Sequence, residues 1–357
     1  MPYFYAAVPR RVQLREDRGL GIIKYGIGNI YPQLVDYAVA GCEPAATACE
    51  VYADFMVGSG FQDAAVNALE VDREGRTALS ILEAISEDFA RFRGFALHFN
   101  YNLLGQIVEI NHLPFEWCRL SEPDENGDSR FVKVWDNWAG ESLRLNASIA
   151  DIRSYHRFAP ANALEEVAAV GIDDYKGQVL YFSENRSQYP IPPVDAVLNQ
   201  CFAFASIAEF DKSFSQNGFS ASTVFRSKSY SPDEATYQRN IEQIRTLGGT
   251  RNAGGIGYLE GDIDQLQITL PKVWEERAGL KSSIKDDVYE RFSLPHILTA
   301  RTRQGGFPNK DEMADAVRFY NAKTRKNRTA ISDQLARVFA ASIWTEASAA
   351  IAQFRLD

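Results

Sequence analysis

Tyr189-Pro190-Ile191-Pro192-Pro193-Val194-Asp195-Ala196-Val197-Leu198-Asn199-Gln200-Cys201-Phe202-Ala203-Phe204-Ala205-Ser206-Ile207-Ala208-Glu209-Phe210-Asp211-Lys212-Ser213-Phe214-Ser215 is the stretch on which the fold turns. Three prolines in five residues break whatever precedes, and Pro193 is placed to open a helix because the first helical turn needs no proline N–H. Apolar residues then fall at 194, 197, 198, 201, 202, 205 and 208, with Phe204 and Phe210 on other faces. That pattern predicts a helix of about 22 residues, roughly 33 Å long, buried on more than one side as in an oligomer.

A second long helix is predicted from near Pro271, stepping through Val273, Leu280, Ile284, Val288 and Phe292. The segment between the two, 218–268, is of another kind. It holds a short strand at Thr223–Arg226, a helix opened by Ser231-Pro232-Asp233-Glu234, and glycines at 248, 249, 254, 255 and 257. It reads as a lobe inserted between two helices.

On the N-terminal side, residues 1–30 form a mildly basic arm whose glycines at 19, 21, 26 and 28 oppose a helix. One helix is predicted from Pro32 to about Phe55, stopped by Val57-Gly58-Ser59-Gly60, and another from Thr77 to Arg91 with Leu79, Leu82, Ile85 and Phe89 on one side. The period then changes to two: Phe95, Leu97 and Phe99 alternate with Ala96, His98 and Asn100. With the turn at Asn102–Gly105, the Asn126-Gly127 hairpin signal and Gln178–Phe182, residues 93–183 read as a small antiparallel sheet. Beyond 292, a helix from Asn309 to Tyr320 and an amphipathic one from about Thr329 to Arg355 are expected, separated by a basic loop. The fold class is α+β.

Composition sets outer bounds. The chain has 357 residues, 45% hydrophobic and 24% charged, enough for two packed modules. No run of eighteen apolar residues occurs, and Met1-Pro2-Tyr3-Phe4-Tyr5 lacks the order of a signal peptide. Cys42, Cys49, Cys118 and Cys201 form no CxxC pair and read as buried thiols of a reducing compartment. The sequons at Asn146, Asn185 and Asn327 are read as chance matches. A formal charge of −9 argues against a protein that coats DNA, while leaving room for one past which DNA slides.

Chemistry-bearing motifs are sparse. Gly58-Ser59-Gly60 lacks the GxSxG spacing of a nucleophile elbow, no Walker lysine follows a glycine loop, and His98, His112, His156 and His296 stand apart in sequence. Asp173-Asp174 and Asp286-Asp287 could hold a divalent ion or be solvated pairs. No metal and no cofactor are expected, and no enzyme activity. The one charge cluster is Lys323, Arg325, Lys326 and Arg328, four cations in six residues. It is either a solvated turn between helices or a loop that reaches phosphates, with Arg301 and Arg303 adding charge nearby.

Four stretches, in order, resemble the portal proteins of tailed bacteriophages, in particular the HK97-type family. They are Ala53-Asp54-Phe55-Met56-Val57-Gly58-Ser59-Gly60-Phe61; Arg93–Leu97 through Asn111-His112-Leu113-Pro114; Tyr181-Phe182-Ser183 with Tyr189-Pro190, the long helix and Asn217-Gly218; and Phe292–Leu298 followed by a glycine loop and Asn309. They span residues 30–340.

The resemblance implies an N-terminal arm (1–30), a wing of helices and sheet (31–192), a stem helix (193–216), a clip (217–269), a second stem helix (270–292), a tunnel-loop region (293–330) and a closing wing or crown helix (331–357). It implies a twelve-subunit ring at a capsid vertex, carrying about −108 for twelve copies of a −9 chain. Lys323, Arg325, Lys326 and Arg328 would lie near the tunnel loop. The implied partners are double-stranded DNA in transit, the terminase large subunit, the major capsid or scaffolding protein and a head–tail connector, with no membrane; the location is the virion, and the host cytoplasm during assembly. Two other readings stay open: a hydrolase using a carboxylate pair such as Asp173 and Asp174, and a different head–tail connector subunit.

Overall fold

The computed structural model describes residues 14–125, 127–138, 152–184, 188–217, 223–227, 233–247, 263–267, 273–299 and 310–352. They fall into two compact units, Asn199–Asp286 and the remainder.

The larger unit is built on a sheet. A hairpin, β1 (Leu14–Asp17) and β2 (Ile22–Tyr25), opens it, where only an arm is expected from the sequence. Helices α1 (Tyr31–Ala40) and α2 (Glu43–Val57) follow. The single helix expected over 32–55 is therefore broken at Gly41-Cys42. Pro44 lies in the first turn of α2, where its missing N–H is harmless but its ring forbids a helix running through from before. After α3 (Ala64–Asn67), α4 (Ala78–Phe92) starts at Thr77, whose hydroxyl oxygen accepts from Ser80 N at 3.2 Å. Ile81, Leu82, Ile85, Phe89 and Phe92 of α4 are buried.

The strands are β3 (Gly94–Tyr101), β4 (Ile107–Leu113), β5 (Cys118–Leu120), β6 (Phe131–Val134), β7 (Arg153–Arg157) and β8 (Gln178–Ser183). Their order is β4-β3-β8-β7-β6-β5. The sheet is mixed rather than antiparallel: β7 and β8 run parallel. Parallel neighbours need a crossover, and α5 (Ala163–Val170) supplies it. Phe95, Ala96 and Leu97 are all fully buried, so β3 is covered on both faces despite its alternating sequence. Gly177, at φ +80°, lets the chain pass so close to β3 that a Cβ there would lie 2.0 Å from Phe99 O.

Another segment meets each sheet edge at one point, which shortens the template open to stray strand pairing. At β5, Ile22 bridges Ser121 and Glu122 N donates to Gly21 O at 3.3 Å. At β4, Ile107 N donates to Ala341 O at 3.0 Å, and Ile343 N to Ile107 O at 3.0 Å.

The C-terminal part of this unit is α9 (Lys310–Ala340) and α10 (Thr345–Ala352). They fold back on one another, with Ser332 Oγ donating to Ile351 O at 2.7 Å. The loop expected between residues 320 and 329 is the middle of a 31-residue helix. No glycine or proline interrupts 310–340, and lysine and arginine are good helix formers. The break falls at 341–344 instead.

The smaller unit contains α6 (Leu198–Asn217), β9 (Thr223–Ser227), α7 (Glu234–Leu247), β10 (Ile263–Gln267) and most of α8 (Val273–Phe292). A short 3-10 turn, Pro193–Val197, precedes α6. Strands β9 and β10 pair antiparallel, joining the two ends of the lobe. Strand β9 is expected from the sequence and β10 is not. Asp233 caps α7, accepting from Thr236 N at 2.8 Å. Asp211 of α6 holds Lys281 at 2.8 Å and Arg277 at 3.2 Å on α8, while the Arg277 guanidinium sits 3.7 Å over the Phe210 ring. The Lys281 hydrogen bond first, then the charges of both cations, keeps the Asp211 carboxyl below the usual range. The glycines at 248, 249, 254, 255 and 257 lie outside the described residues.

Candidate nucleic-acid interface

The cation cluster sits on α9, and the helix divides it. Tyr320, Thr324, Arg328, Ile331, Leu335 and Val338 recur at three- and four-residue steps and are buried. Lys323, Arg325 and Lys326 are exposed. So three of the four cations face solvent and one does not.

Arg328 is built into the fold. Its Nη1 donates to Phe55 O and to Asn321 Oδ1, both at 3.2 Å, and its Nη2 to Asn321 O at 3.1 Å. Phe55 belongs to the last turn of α2, whose carbonyls have no intrahelical partner. The guanidinium thus caps α2 and opposes the negative end of its dipole. Burial, and secondarily the nearby Arg325 charge, lowers the Arg328 pKa. Around it, Asn327 Nδ2 donates to Tyr52 OH at 2.8 Å, and the Tyr320 ring meets Phe55 and Tyr52 edge-on at 4.9 and 6.3 Å. The sequon at Asn327 is therefore turned toward α2. Arg301 and Arg303 lie outside the described residues.

Two features were not foreseen. Arg119 is fully buried on β5, with Nε to Asn29 Oδ1 at 2.6 Å, Nη2 to Asn29 O at 2.7 Å, and Nη1 to Glu116 O and Cys118 O at 2.8 Å. Desolvation lowers its pKa, and the Tyr25 and Trp138 rings lie beneath it. The only sequence signal is a lone arginine in the run Trp117-Cys118-Arg119-Leu120. The second is Tyr189, read as part of a breaker. Its hydroxyl donates to Ile23 O at 2.5 Å and accepts from Leu120 N at 2.9 Å, and its ring stacks on Tyr25 at 4.2 Å. Tyr25 OH in turn donates to Pro190 O at 2.5 Å. These tyrosines fasten the proline segment to the N-terminal hairpin.

The titratable groups are dispersed. His112 Nε2 is 2.8 Å from Asp88 Oδ2, linking β4 to α4. His98 Nε2 meets Lys176 O at 2.7 Å, and burial lowers its pKa. His156 Nδ1 is 3.3 Å from Glu166, and His296 packs on Tyr289. Asp173, Asp174 and Asp287 are exposed. Among the described residues, no three His, Cys, Asp or Glu side chains come together as a metal site would require. A groove of about 360 Å³ between α1, α2 and α4 is lined by Asp36, Glu50, Asp54 and Glu87 with Arg91, which pairs with Asp36 at 3.0 Å. Its acidity disfavours phosphate. No helix among the described residues is long and apolar enough to cross a membrane.

No protein-family model matches the sequence, and no curated protein matches it. Solved structures do. A chain in the virion of a native gene transfer agent particle is similar with a TM-score of 0.58 at 15% identity, over 87% of this chain and 80% of that one. A chain in the neck of an empty gene transfer agent particle, computed with C6 symmetry, gives 0.55 at 15% identity, over 85% and 79%. One in the neck of the native particle, computed with C12 symmetry, gives 0.53 at 16% identity, over 87% and 80%. The chain shares their fold.

Proposed function

We propose that the protein is a portal subunit: a ring-forming structural protein at the vertex of a phage-like capsid, through which double-stranded DNA enters and leaves. The observation that carries this is the fold shared along 87% of the chain with a protein of a C12-symmetric particle neck. The order of modules in the sequence agrees with it, since two long helices flank an α/β lobe and a cationic helix follows.

In this reading the helices α6 and α8 are the stem, and the lobe of β9, α7 and β10 is the clip, which docks the terminase large subunit during packaging and a head–tail connector afterwards. The larger unit is the wing, facing the capsid or scaffolding protein. The protein has no catalytic step of its own; the terminase hydrolyses ATP. DNA must move without being held, and an acidic chain of −9 suits that by repulsion. Lys323, Arg325 and Lys326 supply transient phosphate contacts, while Arg328 fixes the helix that presents them. Each phosphate neutralised adds a salt slope of about 0.9 to binding, so few cations mean loose contact.

Electron microscopy of the purified protein, with its mass from light scattering, tests the reading. Rings with a central hole and about twelve subunits are expected. A monodisperse monomer at all concentrations, alone and with its capsid protein, overturns it. Replacing Lys323, Arg325 and Lys326 with alanine is expected to leave rings intact and impair DNA packaging; undiminished packaging removes these residues from the channel.

A further inference from the structure

Two apolar patches lie at opposite poles of the larger unit. The first is a stripe along α1 and the turn before it: Ile27, Ile30, Leu34 and Tyr37 are 76, 39, 37 and 69% exposed. The second crowns the β3–β4 turn and α5: Leu103 and Leu104 are 69 and 73% exposed, Leu164 and Val170 each 54%, and Ile172 38%.

Strand β3 fixes their separation. At its Gly94 end, a Cβ would touch the Phe115 ring at 2.6 Å, and Gln33 of α1 donates to Glu116 O at 3.0 Å in that same turn. The α1 stripe therefore sits at the start of β3. At its other end, Tyr101 leads straight into Leu103 and Leu104. A Cβ on Gly105 would lie 2.7 Å from Leu164 Cγ, so α5 packs against the turn. Eight residues of strand put the poles roughly 25 Å apart.

The turn is not a floppy tip. Asn102 Oδ1 accepts from Leu104 N and Gln106 N, both at 2.9 Å, and Asn102 N donates to Gln106 O at 2.9 Å. Two leucines are thus held out on a stitched backbone, which lowers the ordering cost of docking them.

We infer that these two patches are the two halves of the subunit contact: the α1 stripe of one copy seats the Leu103–Leu104 turn and α5 of the next. This deepens the ring reading and rests on it. The form is what a ring needs, because a heterologous contact joins two different surfaces of one chain and repeats head to tail. The composition also fits. The patches together expose nine large apolar side chains, each by more than a third, which suit the apolar centre of an interface whose polar rim makes up the rest. Apolar patches with polar rims mark interaction sites, and a second copy covers both of these at once.

The test uses two variants of the full chain. One carries Ile27→Glu and Leu34→Glu, the other Leu103→Glu and Leu104→Glu; Ile27, Leu103 and Leu104 are largely exposed and Leu34 by about a third, and circular dichroism with a melting curve checks that each variant folds. Each alone is expected as a 40.0 kDa monomer by light scattering, where the wild type forms rings. Mixed one to one, they retain one intact face each and are expected to give a heterodimer of about 80 kDa that grows no further. Rings from either variant alone, or a mixture that stays monomeric, overturn the contact while leaving the wild-type ring standing. A wild type that never assembles overturns the ring reading and this contact with it. Open filaments from the wild type keep the contact and remove ring closure.

Discussion

Replacing Arg328 with methionine separates the two kinds of cation on α9. The change keeps most of the side-chain volume and removes the guanidinium. Lost with it are three hydrogen bonds of 3.1–3.2 Å, to Phe55 O, Asn321 Oδ1 and Asn321 O. Their length places each at about 1 kcal/mol rather than at the upper range for a charged donor. Phe55 O, at the end of α2, is then left without its cap, and the favourable charge–dipole contact of about 0.3–1 kcal/mol goes too. Against this, the desolvation cost of the buried guanidinium is recovered. The expected net loss is about 2–3 kcal/mol. Lys326→Met, on the exposed face two residues earlier, is expected to stay within about 0.5 kcal/mol of wild type. Arg328→Lys retains the charge, but a single ammonium cannot span Phe55 and Asn321 together, so it falls between the two. Urea unfolding followed by tryptophan fluorescence gives the three midpoints, with an unchanged slope as the check that only stability moved. A loss below about 0.5 kcal/mol for Arg328→Met, or an equal loss for Lys326→Met, refutes the division.

Gly177→Ala adds a Cβ 2.0 Å from Phe99 O at a backbone φ of +80°, so a loss of about 3 kcal/mol or more is expected by the same assay; a neutral result means the β8 approach to β3 is looser than described. All four cysteines are buried, and burial pushes the Cys49 thiol up to about 12. Ellman's reagent at pH 8 should therefore modify none within minutes on the folded protein and all four in urea; one fast native thiol contradicts the packing. Burial raises the Asp88 pKa above its ordinary 3.8 despite the His112 and Phe115 hydrogen bonds. A raised carboxyl favours folding in its neutral form, so its contribution is complete below about pH 3.8 and is lost as pH rises through the folded pKa. Measured against Asp88→Asn, wild-type stability should fall over that window; a difference that grows with pH reverses the sign and refutes it.

What could be read from the sequence depended on whether the buried face of an element is apolar. Helix α4 was legible because Thr77 marks its start and Leu82, Ile85 and Phe89 trace its inner face. Helix α9 was not, because Thr324 and Arg328 occupy inner positions through hydrogen bonds, interrupting the apolar period between Tyr320 and Ile331. A run of Lys, Arg and Asn then resembles a loop, although its lysines and arginines suit a helix. The break between α1 and α2 was signalled by Pro44, but Cys42, Ala45 and Cys49 continue the apolar steps across it. The sheet was placed within 93–183, but β7 and the crossover helix α5 were not, since both are short and strand order depends on contacts distant in sequence. Tyr189 shows the same limit: its partners Ile23 and Leu120 lie 166 and 69 residues away.

For the candidate interface this bears directly on what charge counting means. The chain carries 38 lysines and arginines, yet several of the arginines are committed to the fold. Arg119 is sealed beside Asn29, Arg328 caps α2, the Arg93 guanidinium lies 4.1 Å over the Tyr52 ring, and Arg277 is shared between Asp211 and Phe210. These cations bind aromatic faces and carbonyls and are not available to phosphate. A formal charge of −9 therefore says little by itself about which cations remain open to a phosphate. Lys323, Arg325 and Lys326 stand out as a small cationic strip on a rigid helix. A strip of that size cannot hold a duplex at physiological salt. In the proposed portal ring the strip recurs in every subunit and gives DNA many brief contacts, which is the physical requirement for a polymer that must slide in both directions.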